Sequence, residues 1–164
     1  LPRAAEELDI PFVASGGIGN AQQLVAALAL GADGVNMGTR FIATKEAPVH
    51  QNVKDALVAA SELDTTLIMR PLRNTERVLK NEAVERIQAK EKELGDDIKI
   101  NDIMDEVAGV YPKIMSEGDM DSGAWSCGMV AGLIHDIPSC NDLVGGMVKE
   151  AESIIAKRLQ KFTS

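Results

Sequence analysis

Residues 10–41 read IPFVASGGIGNAQQLVAALALGADGVNMGTRF, and this stretch decides the fold of the chain. Its first apolar run ends at Ser15-Gly16-Gly17, which predicts a short buried strand followed by a tight turn. Asn20 can cap the helix that follows, and Gly31 can end it. A second short strand then ends at Gly38-Thr39, where another helix can begin. The pattern therefore predicts two strands joined by a helix, each strand ending in a glycine turn.

The two glycine turns are expected to share one edge of a parallel sheet. A strand, a helix and a strand joined this tightly form a right-handed crossover, which gathers functional groups at the carboxyl ends of both strands. Free backbone N–H groups in such turns can bind phosphate without any cationic side chain. In (β/α)₈ barrels, a phosphate site of this kind follows the last two strands. The candidate binding residues of this stretch are Ser15, Gly16, Gly17, Met37, Gly38 and Thr39.

These glycines have two other interpretations, of which one stays open and one is rejected. Either turn alone is explained equally well by the ordinary use of glycine in tight turns, and only the occurrence of two turns in register favours a phosphate site. A dinucleotide-binding fingerprint is rejected, because Gln22 stands where its third glycine should be. The second strand also ends at Thr39 rather than at an acidic residue.

The composition restricts the class of protein. A net charge of −8 and a pI near 4.8 argue against a nucleic-acid partner, which normally requires a basic face. Cys127 and Cys140 do not make a disulfide framework, and no Cys/His spacing suggests a metal site, so reduced thiols in the cytoplasm are expected. Cys127 is expected to be a structural thiol, because no histidine is close to it in sequence. No apolar run is long enough for a membrane helix.

Clear parallel strands are predicted only near the N-terminus. Because a complete (β/α)₈ barrel needs eight strands and about 250 residues, the chain is expected to be the C-terminal portion of a longer protein. The expected fold class is α/β, the end of a barrel followed by a mainly helical extension. We expect barrel strands and helices with the phosphate site in residues 1–63, a helical substrate-side or lid region in residues 64–138, and a C-terminal helix packed on the barrel in residues 139–164.

Apolar periodicity predicts the elements after the second glycine turn. One helix is expected from Pro48 to about Leu63, with His50 as a capping or surface residue. An extended segment should follow from Thr65 to Met69. Further helices are expected from Asn74 or Thr75 to Leu94 and from Asn101, with a turn of the chain at Tyr111-Pro112. The last helix should begin at a capping box of Ser139 and Asp142 and carry an apolar stripe as far as Phe162.

Four arginines lie close to these segments. Arg40 follows the second glycine turn, and Arg70, Arg73 and Arg77 surround the extended segment. Guanidinium groups could bind an anionic substrate or a nucleotide phosphate there. The favoured interpretation is that Arg73 and Arg77 pair with nearby acids such as Glu76.

Residues 118–134 read GDMDSGAWSCGMVAGLI and form the second informative segment. Trp125 stands before a predicted helix whose first turn contains Ser126, Cys127 and Gly128. Gly128 and Gly132 lie one helical turn apart, so one face of that helix would be bare. Either another helix or a flat ligand could pack against that face, and the residue pattern alone favours the helix.

Residues 10–41, together with LIMRPLRNTERV at residues 67–78 and residues 118–134, resemble nitronate monooxygenases, also called 2-nitropropane dioxygenases. The resemblance is closest to the bacterial branch that includes NAD(P)H:quinone reductases. It implies an FMN-binding (β/α)₈ barrel, and it implies that Trp125, Ser126, Gly128 and Met129 lie near the flavin and the substrate pocket. The catalytic histidine of the family is expected upstream of this chain. Neither His50 nor His135 occupies a matching motif, so the catalytic residue is unknown.

The resemblance implies an FMN-dependent oxidoreductase that oxidises alkyl nitronates with O₂. The alternatives are an NAD(P)H:quinone reductase of the same family, a flavin-type enoyl-ACP reductase, and a phosphate-binding or scaffold module without chemistry of its own. The expected partners are a small substrate, nitronate or quinone, with NAD(P)H as a further candidate, and homodimerisation is left open. These residues alone are expected to be inactive, because much of the flavin pocket would be missing.

Overall fold

A computed structural model describes residues 1–163 of the chain. The α-helices are α1 Pro2–Glu7, α2 Ala21–Ala29, α3 Thr39–Ile42, α4 Gln51–Ala59, α5 Glu82–Leu94, α6 Met104–Val107, α7 Tyr111–Met115 and α8 Cys140–Ser153. The strands are β1 Val13–Ser15, β2 Gly34–Asn36, β3 Thr65–Ile68 and β4 Glu76–Leu79. Short 3₁₀ turns include Glu62–Asp64, Ile100–Ile103 and Met129–Leu133, and a π-helical turn, Ile154–Leu159, continues α8. None of the helices in this described part has the length and apolar character needed to cross a membrane.

The predicted strand, helix and strand unit is confirmed, but the first strand is not buried as predicted, because Ala14 is the one buried residue of its three. Strands β1 and β2 pair in parallel with Ala14 opposite Val35, and α2 connects them. Asn20 caps α2, because its side-chain oxygen accepts a hydrogen bond from Gln23 N at 2.9 Å. Gly31, with a φ of 96°, ends the helix in the left-handed region that favours glycine. Both strands therefore end at the same edge, as the sequence predicts.

A two-stranded antiparallel hairpin lies outside this sheet. Strands β3 and β4 pair with Thr65 opposite Leu79 and Ile68 opposite Glu76. The extended segment predicted from Thr65 is thus confirmed, but the long helix predicted from Asn74 or Thr75 is wrong over its first turns. Residues 76–79 form a strand because they pair with β3, and α5 begins only at Glu82, after its capping residue Asn81.

Helices α4 and α7 differ in part from the elements predicted for their residues. The helix predicted from Pro48 to Leu63 is confirmed over Gln51–Ala59, with His50 as its N-cap, and a 3₁₀ turn occupies Glu62–Asp64. The turn predicted at Tyr111-Pro112 is instead the start of α7, where proline suits the first helical turn because its missing N–H needs no partner there.

The main core lies between α4, α7 and the segment that carries Trp125. Its fully buried side chains include Val53, Leu57, Ile114, Trp125 and Ile134. A separate apolar cluster joins α2 to α8 through Val25, Leu143 and Met147. The stripe predicted along the last helix is therefore only partly used for packing, because Val148 and Ile155 remain about half exposed.

A partly buried carboxylate ties α5 to α6, and this contact predicts a pH-dependent stability. Arg86 Nε donates to Glu106 Oε1 at 2.8 Å, and Arg86 Nη2 donates to Oε2 at 2.9 Å. Hydrogen bonding to Arg86 lowers the pKa of Glu106 below its usual value of 4.5. A carboxyl group whose pKa is lower in the folded state stabilises the protein at pH values above its unfolded-state pKa. This stabilisation is lost as the pH falls through the folded-state pKa.

We therefore expect Glu106→Gln to lower the free energy of unfolding at pH 7 and to have a progressively smaller effect in acid, where the wild-type carboxyl is also protonated. Urea unfolding of both proteins at pH 7 and at about pH 3 measures this difference. A stability loss of equal size at both pH values would show that the ion pair does not cause it.

Candidate functional site

The two glycine turns offer open backbone at the carboxyl edge of the parallel sheet. Gly16 and Gly17 come directly after β1, which ends at Ser15, and their φ values are 98° and 70°. A Cβ atom placed on Gly16, Gly17 or Gly38 would meet no atom within 4 Å. Among residues 1–163, the amide N–H groups of Gly17 and Gly38 donate to no protein acceptor. These donors are therefore available to an anion.

Gln23 fixes the shape of the first turn, a role that the sequence analysis did not assign. Its Oε1 accepts a hydrogen bond from Gly19 N at 2.8 Å, and its Nε2 donates to the Gly17 carbonyl at 2.6 Å. The side chain reaches back from the first turn of α2 over the loop that precedes it. The signal for this role is weak in sequence, because any long polar side chain at this position could make the same contacts.

Thr39 joins the second glycine turn to the distant segment that contains Trp125. Gly128 N donates to Thr39 Oγ1 at 3.0 Å, and a Cβ atom on Gly128 would lie 3.4 Å from the same oxygen. This distance is an ordinary van der Waals contact, so the Gly128–Thr39 hydrogen bond does not itself require glycine. The structure brings together two groups of predicted site residues that are about ninety residues apart in sequence.

Residues 126–128 are extended, so the helix predicted to begin there is wrong. Ser126 forms an isolated antiparallel bridge with Val78, and Cys127 N donates to the Arg77 carbonyl at 3.0 Å. These bonds to β4 replace the helical hydrogen bonds. The helical turn starts at Met129 as a 3₁₀ turn.

The bare surface at Gly132 is occupied by protein. A Cβ atom there would lie 2.5 Å from Glu62 N, so the 3₁₀ turn Glu62–Asp64 packs directly on this glycine. Met129, in contrast, is 49% exposed and lines a cleft of about 370 Å³ together with Gly17, Gln23 and Leu133. The cleft connects the first glycine turn with the second informative segment.

Trp125 and Ser126 have opposite environments. The Trp125 side chain is fully buried in the main core, and its Nε1 has no hydrogen-bond partner among residues 1–163. Its role as a flavin contact stays a prediction. Ser126 is exposed, and its Oγ contacts both the Glu76 carboxylate and the Tyr111 hydroxyl, the latter at 3.0 Å. The sequence gives no sign of this polar cluster, because its members come from three separate elements.

Arg40 is buried beneath the second turn and pairs with a carboxylate. Only 4% of Arg40 is exposed, and its Nη2 lies 2.6 Å from Asp136 Oδ1. Nη1 donates to the Asp136 carbonyl at 3.1 Å. Arg40 therefore connects α3 to the segment before α8 instead of presenting its charge to the glycine turns.

Cys127 has the environment predicted for a structural thiol. Burial raises its pKa to about 12, so the thiol stays protonated at pH 8. We expect iodoacetamide to leave Cys127 unmodified in the native protein while it labels the half-buried Cys140. Mass spectrometry of alkylated peptides measures this difference, and protein unfolded in guanidinium serves as the control in which both cysteines react. Equal labelling rates in the native protein would contradict the expectation.

Comparison with known proteins decides the family. The sequence profile of the family described as nitronate monooxygenase matches residues 1–150. The chain belongs to the nitronate monooxygenase family. A probable nitronate monooxygenase of Staphylococcus saprophyticus is 33% identical over a match that covers 58% of this chain and 27% of that protein.

Two further proteins match the chain over a greater part of its length. It is 30% identical to a (3aS,4S,5R,7aS)-5-hydroxy-7a-methyl-1-oxo-octahydro-1H-indene-4-carboxyl-CoA dehydrogenase of Rhodococcus jostii, over 92% of this chain and 52% of that protein. The structure of FabK from Thermotoga maritima superimposes with a TM-score of 0.89 at 32% identity, over 98% of this chain and 50% of that one. The chain thus spans about half the length of these relatives. The predicted fold class, a portion of an α/β barrel with a mainly helical extension, is confirmed.

Proposed function

We propose that the full-length gene product is an FMN-dependent oxidoreductase of the nitronate monooxygenase type, which oxidises alkyl nitronates with O₂. In this proposal, residues 1–63 carry the phosphate site, residues 64–138 form the substrate side, and residues 139–164 pack on the barrel. The observation that carries the proposal is the pair of open glycine turns at one sheet edge, joined through Thr39 to Gly128.

The phosphate group of FMN fits this edge for reasons of shape and hydrogen bonding. The free N–H groups of Gly17 and Gly38 can donate to phosphate oxygens, and the missing side chains at Gly16, Gly17 and Gly38 leave room for them. Ser15 ends β1, and Met37 directly follows the end of β2 at Asn36, so both lie beside these turns. Gln23 and Thr39 hold the turns in place, so little ordering would be needed on binding.

The flavin ring would lie on the side of Gly128 and Met129. Gly128 offers partly exposed backbone next to the second turn, and Met129 offers a half-exposed side chain whose thioether suits a flat ring. Ser126 lies two residues before Gly128 and would face the substrate side. When bound, FMN supplies the redox chemistry, and the protein positions it and excludes water. The catalytic residue remains unassigned in this chain.

A reductase or dehydrogenase acting on a thioester is the second candidate. It is favoured by the carboxyl-CoA dehydrogenase of Rhodococcus jostii, which matches 92% of this chain. The quinone reductase and enoyl-ACP reductase alternatives belong to the same group of flavin reductases, in which NAD(P)H would be a co-substrate. A cytoplasmic location is part of the proposal, homodimerisation stays open, and a scaffold without chemistry is the non-enzymatic alternative.

Anaerobic stopped-flow absorbance of the purified full-length gene product tests these candidates. Bound FMN released by heat would support the cofactor assignment, and its absence would favour the scaffold alternative. Rapid bleaching of the flavin by propyl nitronate, with O₂ uptake when air is admitted, is the result expected for the monooxygenase. Bleaching only by NADPH or NADH, followed by reoxidation with a quinone or an enoyl thioester, would overturn that assignment in favour of a reductase.

A further inference from the structure

We propose that the loop of the β3–β4 hairpin, residues 69–75, binds the phosphate ester of a nucleotide-type substrate or co-substrate through Arg70 and Arg73. Such phosphates occur in coenzyme A thioesters and in NADPH, far from the reacting atoms of either molecule. The proposal depends on the proposed function in one respect only, namely that the neighbouring glycine turns hold FMN.

The charge of this loop is opposite to that of the chain. Its sequence, MRPLRNT, contains two arginines and no acid, whereas the whole chain has a net charge of −8. Both Arg70 and Arg73 are exposed. Within residues 1–163, neither guanidinium has a carboxylate within 4.0 Å. The pairing of Arg73 with Glu76 that the sequence favoured is therefore wrong.

The carboxylates around the hairpin are already engaged by other donors. Glu76 accepts a hydrogen bond from Ser126 Oγ, and Glu91 accepts one from the backbone N–H of Met69. Arg77, the third arginine of the hairpin, donates to Thr65 Oγ1 at 2.9 Å. The two loop arginines thus keep their full hydrogen-bonding capacity for an external anion.

The loop is held in one conformation by its own backbone. Met69 and Arg73 have φ values of 59° and 54°, in a region that non-glycine residues seldom adopt. Arg73 N donates to the Arg70 carbonyl at 3.0 Å, and Asn74 N donates to the Met69 carbonyl at 3.2 Å. Glycine or asparagine would adopt this backbone at lower cost than arginine. An arginine here is better explained by what its guanidinium binds than by the turn itself.

The loop and the glycine turns lie on either side of the same extended segment. Residues 126–128 bond to β4 through Cys127 N and the Arg77 carbonyl, and to α3 through Gly128 N and Thr39 Oγ1. Arg77 is four positions after Arg73, so their Cα atoms are at most about 14 Å apart. A ligand whose reacting end lies at the flavin could therefore also contact the loop if it carries a second, anionic group on a long enough carrier.

The need for a second anionic group selects the class of ligand. A small nitronate carries its charge at the reacting atoms, so it could not use another anionic group to contact the loop while it reacts at the flavin. A phosphate ester on a long carrier could, and paired arginines match phosphate oxygens with parallel N–H donors. Coenzyme A and NADPH share this chemistry, and the match to a carboxyl-CoA dehydrogenase makes coenzyme A a natural first probe.

The test measures equilibrium binding of four probes to the full-length gene product by calorimetry. The probes are coenzyme A, pantetheine, which lacks the nucleotide phosphates, NADPH, and NADH, which lacks the 2′-phosphate. The variant is Arg70→Gln/Arg73→Asn, since asparagine tolerates the left-handed backbone at position 73. The matched control is Lys157→Gln/Arg158→Asn, which removes two exposed positive charges from the π-helical turn after α8.

We expect the loop variant to bind coenzyme A or NADPH about tenfold more weakly than wild type, with unchanged FMN content and melting temperature. Binding of pantetheine and NADH should be unaffected, and the control variant should resemble wild type. A loss confined to coenzyme A or to NADPH identifies the source of the phosphate. Unchanged affinities in a flavin-loaded loop variant, or wild-type protein that binds neither phosphorylated probe, would overturn the proposal. Wild-type protein without flavin that still shows the phosphate-dependent difference would instead contradict only the proposed function.

Discussion

Replacement of Gly38 by valine is expected to weaken FMN binding by about tenfold to a hundredfold. This range corresponds to about 1.5–3 kcal/mol, the usual contribution of a hydrogen bond to a charged group. Gly38 precedes α3, its N–H has no protein acceptor among the described residues, and a Cβ atom there would enter open space. A branched side chain would occupy the space that a phosphate oxygen needs in order to reach the N–H.

The same position makes the experiment specific, because valine should leave the fold intact. Gly38 has φ −92° and ψ −73°, which other residues adopt without strain, and its Cβ would clash with nothing. We expect the free energy of unfolding of the flavin-free protein to fall by no more than about 1 kcal/mol, because Gly38 is the N-cap of α3, where glycine is preferred to valine. Any loss of affinity would then come from the binding site.

Titration of the flavin-free full-length gene product with FMN, followed by flavin fluorescence, gives the dissociation constants. Gly38→Ala provides an intermediate step in side-chain size. Gly145→Val is the control, because Gly145 lies on the exposed side of α8 where a Cβ also meets nothing within 4 Å. If Gly38→Val and Gly145→Val bind FMN with the same affinity as wild type, Gly38 does not belong to the phosphate site.

The parallel unit could be predicted from sequence because its signals are local. The apolar run before Ser15, the cap at Asn20 and the glycine at position 31 each act within a few residues of their position in the chain. The edge that both turns share follows from the handedness of the crossover, which requires no knowledge of other contacts. Local chemistry therefore determines where the candidate phosphate site lies.

The hairpin and the segment around Ser126 could not be predicted in the same way. Residues 76–79, ERVL, are compatible with a helix, and they form a strand only because β3 lies on one side and residues 126–127 lie on the other. Ser126 and Cys127, in turn, are extended because they pair with β4. Each segment needs the other in order to be a strand, and a pattern of single residues does not contain such pairing.

Trp125→Ala is expected to lower the free energy of unfolding by about 3–5 kcal/mol, the range for removing a large aromatic side chain from a core. Trp125 is fully buried and packs among Val53, Leu57 and Ile134, which come from elements far apart in sequence. It directly precedes the segment that bonds to both the hairpin and Thr39. The cavity left by alanine should therefore loosen the connection between the two parts of the site as well as the core.

Trp125→Phe separates packing from flavin contact. Phenylalanine keeps much of the aromatic volume and removes the Nε1–H group, which has no partner among residues 1–163. Loss of an unpaired buried donor offsets part of the lost packing, so we expect Trp125→Phe to be markedly more stable than Trp125→Ala. Urea unfolding followed by circular dichroism compares the two variants with wild type.

The FMN affinity of Trp125→Phe then decides what the side chain does in the site. Since the indole is enclosed by protein atoms, we expect this variant to bind FMN as wild type does, whereas Trp125→Ala should bind it more weakly because Gly128 and Thr39 are no longer held together. A folded Trp125→Phe protein with much weaker FMN binding would contradict this expectation. Such a result would mean that the indole leaves the core when the cofactor binds, and that the flavin contact implied by the family resemblance is direct.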